Sequence, residues 1–134
     1  GRQLRRWGWR HIVDDALLEM DFGRWDGRPW TEIAHAEVDA WCAAFADHAP
    51  GGGESLRAML ERVQRWLPAP PAPSEGPVLM VGHGGWMLSA RWVLTQVDAP
   101  VAAAAWPAPP GYGRCWTLAR APLQYRPVTP ASQR

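Results

Sequence analysis

The sequence predicts an α/β sandwich, and three observations carry that prediction. Two segments hold apolar residues at helical spacing: Ala34, Val38, Trp41 and Phe45 in one, Leu56, Met59, Leu60, Val63 and Leu67 in the other. The apolar run Val78-Leu79-Met80-Val81 reads as a buried strand. It feeds a glycine turn and then a helical stretch, Trp86 to Val97, which places the turn at the carboxyl edge of a sheet. The order loop, helix, helix, strand, helix, strand, strand is that of helices packed on a sheet. The sheet so predicted is too small for its helices, so a further strand is expected ahead of Gly1.

Each element has a local reason. Gly1 to His11 carries Arg2, Arg5, Arg6 and Arg10 and reads as the end of a basic helix with a solvated face. Leu17 to Gly27 is expected to be extended or loop, because Gly23 and Asp26-Gly27 are turn signals. Pro29 suits a first helical turn, and the first apolar stripe follows it. Ala49 to Gly53 ends that helix, and Glu54-Ser55 opens the next, over 54–67. Core packing accounts for both stripes. Pro68 to Pro77 is a proline-rich linker, and Asp98 to Gly113 is expected to be mostly loop. Cys115 to Ala119 alternates like a strand, Leu123 to Val128 suits an edge strand, and Thr129 to Arg134 reads as a tail.

Bulk properties remove several function classes. A formal net charge of +1 gives no nucleic-acid footprint and no basic membrane patch. All 14 basic residues are arginine, and 10 tryptophans and 14 prolines accompany them. This bias reads as that of a GC-rich genome and warns against assigning each Trp or Arg to a site. Cys42 and Cys115 are too few for a disulfide framework or a zinc cluster, and fit a reduced, cytoplasmic setting. No apolar run approaches the ~20 residues of a membrane span.

The chemistry concentrates at Gly82-His83-Gly84-Gly85. Backbone N–H groups at a helix start favour anions, and the glycines allow positive φ and close approach of a ligand. His83 is the side chain there that exchanges protons near neutral pH. The turn is neither the dinucleotide fingerprint nor a Walker loop. Glu19, within Leu17-Leu18-Glu19-Met20, suits a general acid if buried and is a solvent-facing loop residue if not. Glu54 stands at a helix start, where a carboxylate gains from the dipole.

Three stretches resemble the histidine phosphatase superfamily, the phosphoglycerate mutase-like group. They are Leu18-Glu19-Met20-Asp21-Phe22-Gly23-Arg24-Trp25-Asp26-Gly27, Pro50-Gly51-Gly52-Gly53-Glu54-Ser55 and Val78 to Gly85. The likeness runs from about Trp7 to about Leu118. Within the superfamily the chain looks most like the α-ribazole phosphatases of cobalamin synthesis, with the run 113–117 and Ala40-Trp41-Cys42 adding to it. The resemblance implies a three-layer α/β sandwich and phosphomonoester hydrolysis through a phosphohistidine, without metal or cofactor, on a small-molecule phosphomonoester. By match to motif, His83 clamps the phosphate with the Gly84 N–H, and Glu19 gives a proton to the leaving oxygen and later activates water. Glu54 either supports the pocket or touches substrate. Arg24 and Trp25 either shape the substrate pocket or belong to its rim or core. A phosphoglycerate mutase, a sugar-phosphate phosphatase and a non-catalytic anion-binding pseudoenzyme are the alternatives.

One departure matters. The family opens with a strand ending in Arg-His-Gly, whose histidine is the nucleophile, and no such tripeptide occurs in this sequence. Arg10-His11 is followed by Ile12 and lies too close to the acid motif to serve. Residues 1–128 are therefore expected to form a single partial domain lacking its catalytic strand. Such a chain is expected to be inactive by itself, with an unpaired sheet edge and exposed apolar surface.

Overall fold

The computed structural model describes residues 2–67, 78–95 and 100–117. Helices and 3-10 turns joined by irregular segments make up the described residues. The first helix, α1 (Arg2–Arg6), is a single exposed turn. A second, α2 (His35–Ala43), follows a 3-10 turn at Trp30–Glu32. The third, α3 (Leu56–Trp66), and the fourth, α4 (Gly84–Thr95), pack against each other.

The α3 stripe behaves as its spacing requires. Leu56, Met59, Leu60 and Val63 are buried, and Ser55 caps the helix, its Oγ accepting the Ala58 N–H at 3.2 Å. On α4, Trp86, Leu88, Ser89, Ala90 and Trp92 are buried. The central cluster joins Met20 to Leu56, Met59, Leu60, Val63, Trp86, Ala90 and Trp92. Burying these side chains removes apolar surface from water, each large one contributing roughly 1.5–3 kcal/mol. Of the predicted face, Val38, Trp41 and Phe45 are half-buried, while Ala34 is exposed and stands just before α2. Arg57 fastens the chain beyond α2 to α3, donating to both carboxylate oxygens of Asp47 at 2.5 and 3.1 Å.

The tryptophans have a use that composition concealed. Trp25 packs edge-on against Trp41, Trp41 lies against Phe45, Phe45 against Trp106, and Trp106 against Trp92 of α4. Phe22 and Trp30 flank the same run. Ring contacts of this kind are worth about 0.5–1.5 kcal/mol beyond their area. The chain of rings joins the loop of the first motif to the last helix.

The first two motif stretches interlock through bare backbone. Gly51 has φ +62°, and a Cβ there would collide with the Phe22 carbonyl oxygen; one at Gly53 would collide with the Asp21 carbonyl oxygen. Across the same junction the Glu54 N–H donates to the Asp21 carbonyl at 2.7 Å. Glycine is required here by contact and, at Gly51, by conformation as well.

The predicted sheet is absent from the described residues. Residues 78–82 are irregular, with Val78 and Leu79 each 51% and Val81 74% exposed. A strand is held by ladder bonds and by burial of its faces, and this segment has neither. Residues 115–117 are likewise irregular and exposed. The rest of that expected strand, the strand over 123–128, the tail and the linker over 68–77 lie outside the described residues. Helix boundaries also shift: α1 ends at Arg6, and α3 runs from Leu56 to Trp66 and not over 54–67. Pro29 precedes a 3-10 turn, and α2 begins only at His35. The last helix starts at Gly84, not Trp86, because the His83 carbonyl already accepts the Met87 N–H at 3.1 Å. Leu17 to Gly27 is loop punctuated by 3-10 turns at Asp15–Leu17 and Gly23–Trp25.

Candidate active site

The site assembles where the loop over 14–20 meets the start of α4. The loop is docked by side-chain donors from both packed helices. Trp66 Nε1 of α3 donates to Asp14 Oδ2 at 2.7 Å. Trp86 Nε1 of α4 donates to the Ala16 carbonyl at 2.7 Å. Trp66 and Trp86 stand edge to face, 5.4 Å between ring centroids, so the two donors brace each other. The Trp66 N–H, and then the Ala16 N–H, hold the Asp14 carboxyl below its ordinary value of 3.8.

Glu19 follows directly. Its Oε2 accepts the Gly85 N–H at 3.0 Å, in the first turn of α4, and its Oε1 accepts the Met20 N–H at 3.0 Å. The carboxylate thus sits at the positive end of the helix dipole. A Cβ at Gly85 would collide with Oε1 and lie 3.0 Å from Cδ. The glycine's role is therefore space. Positive φ, which glycine allows at Gly82, Gly84 and Gly85, is adopted at none of the three.

His83 caps α4 through its backbone carbonyl, and its residue is exposed. Gly84 is the first residue of the helix. An exposed imidazole and a carboxylate hooked to an amide therefore belong to one helix start. Proton transfer and anion binding are the chemistry these groups offer.

The other residues singled out in the sequence lie elsewhere. Glu54 is engaged by Arg62, with Nε to Oε1 at 3.1 Å and Nη2 to Oε2 at 2.8 Å. Trp25 is 4% exposed and belongs to the run of rings. Arg24 is exposed, with Nη1 alongside Gly52 on the interlocked turns. Sequence reasoning missed Arg62, Trp66, Trp86 and Asp14. Arg62 carried a readable signal, since it falls seven residues after the cap Ser55, two turns along one side of a helix. Asp14 and the indoles carried none, as their partners are 52 and 70 residues apart in sequence. Among the described residues no group of His, Cys, Asp and Glu is arranged to hold a metal ion. No helix among them is long and apolar enough to cross a membrane.

Comparison with known proteins gives one family. The profile described as "Histidine phosphatase superfamily (branch 1)" matches residues 2–105. The adenosylcobalamin/alpha-ribazole phosphatase of Salmonella typhimurium is 32% identical over 80 residues, 57% of this chain and 39% of that protein. A bifunctional protein of Mycobacterium tuberculosis and an uncharacterized protein of Mycobacterium bovis are each 39% identical over 56 residues, 40% of this chain and 15% of theirs. The chain therefore spans less than half the length of the curated relatives it matches. No solved structure matches.

Proposed function

Since the chain belongs to the histidine phosphatase superfamily, we propose that it carries the acid and phosphate-clamping half of a phosphomonoesterase site. Its substrate is a small-molecule phosphomonoester in the cytoplasm, α-ribazole 5′-phosphate in the first instance. The observation that carries this reading is the Glu19 carboxylate held against the Gly85 N–H, at the helix start that His83 caps. The likeness to the Salmonella protein, by its name an alpha-ribazole phosphatase, supports the substrate.

The chemistry divides among named groups. A phosphate monoester resists attack because its charge repels nucleophiles. An imidazolium or N–H at His83 and the Gly84 N–H neutralise charge that builds on the phosphoryl oxygens. Glu19 protonates the departing oxygen and, as the carboxylate it becomes, takes a proton from the water that cleaves the phosphohistidine. Glu54 acts behind this site, through Arg62. Arg24 and Trp25 contribute through the interlocked turns and the run of rings.

The nucleophile is the part not supplied, because Arg-His-Gly does not occur in the sequence. The 134-residue chain alone is therefore a phosphate-binding half-site without turnover. Inorganic phosphate titrated into the labelled chain should shift the His83 ring and the Gly84 amide, and His83→Ala should remove the Gly84 response. No shift at either residue would defeat the clamp assignment. Turnover of aryl or nucleoside phosphates that depends on His83 would defeat the half-site assignment.

A further inference from the structure

Arg62 joins two stretches of chain far apart in sequence, the Glu54 turn and the loop before Glu19. It sits on α3 with its side chain 20% exposed. Its guanidinium takes Glu54 through Nε and Nη2, a bidentate pair. The remaining nitrogen, Nη1, donates to two backbone carbonyls, Ala16 at 2.9 Å and Leu18 at 3.0 Å. Leu18 is the residue before Glu19. The Ala16 carbonyl is also the acceptor for Trp86 of α4. One planar group thus connects the second motif stretch, α3 and the loop that carries the proposed acid.

We propose that Arg62 is a positioning residue for Glu19, set in place by Glu54. The reasoning is geometric. A side-chain carboxylate is only as well placed as the backbone on either side of it. On its N-terminal side, Glu19 is held by the two carbonyls that Nη1 grips. On its C-terminal side, Met20 is buried in the core. Glu54 fixes the plane of the guanidinium, so that Nη1 points at the loop and not at water. Lysine cannot replace this arrangement in full, because an ammonium has no fork to answer a carboxylate while it donates to the two carbonyls. Glu54, then, acts on the site at one remove, which accounts for a carboxylate that stands in a motif and is occupied by an arginine.

The proposal rests on the reading of Glu19 as the acid, but its test does not need activity. In the labelled chain, the Gly85 amide proton should shift between neutral and acidic solution through its hydrogen bond to the Glu19 side chain. Glu19→Gln identifies that response by removing it. With Arg62→Gln, the amplitude of the Gly85 response should fall by at least half, while Leu60 and Val63 methyl shifts report an intact core. Arg62→Lys should restore part of the amplitude, and Glu54→Gln should lower it by less than Arg62→Gln does. Arg62→Met, which keeps the aliphatic stem and removes the donors, should lower the amplitude as far as Arg62→Gln does; if it keeps the full amplitude, packing and not the guanidinium places Glu19. A full-amplitude response in Arg62→Gln, or in both Arg62→Lys and Glu54→Gln should Arg62→Gln not fold, would overturn the proposal. Phosphate added to the unsubstituted chain tests the underlying reading separately. Silence at His83 and Gly84 removes the phosphatase assignment and leaves the Arg62 result standing.

Discussion

Replacing Gly85 by alanine should displace Glu19 while leaving the fold nearly as stable as before. The added methyl falls on Oε1 and stands 3.0 Å from Cδ. What it strikes is the far end of a flexible side chain, so the carboxylate swings away with little resistance. Two terms then oppose each other. The Gly85–Glu19 hydrogen bond is lost, and a bond to a charged group is worth about 1.5–3 kcal/mol when well buried. Glu19 is half-buried, so about 1 kcal/mol is the fitting figure. Alanine in place of glycine returns up to about 1 kcal/mol of helix propensity, less in a first turn. The net change is within about 1 kcal/mol, a shift of no more than about 4–8 °C in the melting midpoint for a domain near this size. Thermal melting followed by circular dichroism measures the stability, and the pH response of the residue-85 amide measures the placement of Glu19. The reasoning predicts a small first change and loss of the second. A destabilisation above about 3 kcal/mol, or an amide that still follows Glu19, would refute it.

Other substitutions should separate packing from placement. Gly51→Ala meets a backbone carbonyl, at a φ of +62° that alanine resists, so nothing can yield cheaply. It should cost more than Gly85→Ala, at least about 2 kcal/mol in chemical denaturation. Leu60→Ala, at a side chain 1% exposed, should cost about 2–5 kcal/mol by the same measurement. Asp14 is lowered in the folded chain, so its contribution to stability is present above the unfolded value and is lost as pH falls through the folded one. The Trp66 indole N–H signal should therefore change with a midpoint below 3.8, and Asp14→Asn should abolish that change. The paired Asp47 carboxyl, lowered by Arg57, should titrate on the same side of 3.8.

The helices were legible because their signals are local. Leu56, Met59, Leu60 and Val63 recur at helical spacing next to a serine cap, and burial of that stripe follows. The family was legible for another reason: three motif stretches occur in the right order along the chain, and the family profile matches residues 2–105. Residues 78–82 are irregular among the described residues: apolar content says what a segment would bury and not which segment pairs with it. The exposure of Val81 is the physical record of that. Gly85 shows the converse case. Its presence was readable, but its reason was not, since a need for space and a need for positive φ leave the same letter. The composition gives no sign of which tryptophans pack together, although several form the run of rings. Ring–ring contacts between residues as far apart as Phe45 and Trp106 have no period to detect. Glu54 was readable as a helix-start carboxylate, but not as the partner that orients Arg62.

The glycine interlock has a consequence for how this region opens. Residues 21–23 and 51–53 touch through main chain, so neither loop holds a surface the other could leave while staying folded. Such a junction separates as a unit, with one opening free energy shared by both segments. Amide hydrogens across the junction, that of Glu54 bonded to Asp21 among them, should then exchange at matched rates, although more than two dozen residues of chain lie between the two segments. The acid loop follows directly on one side of that junction and α3 on the other. Opening of this junction therefore frees the backbone that flanks both the proposed acid and its distant support, and the two lose register together.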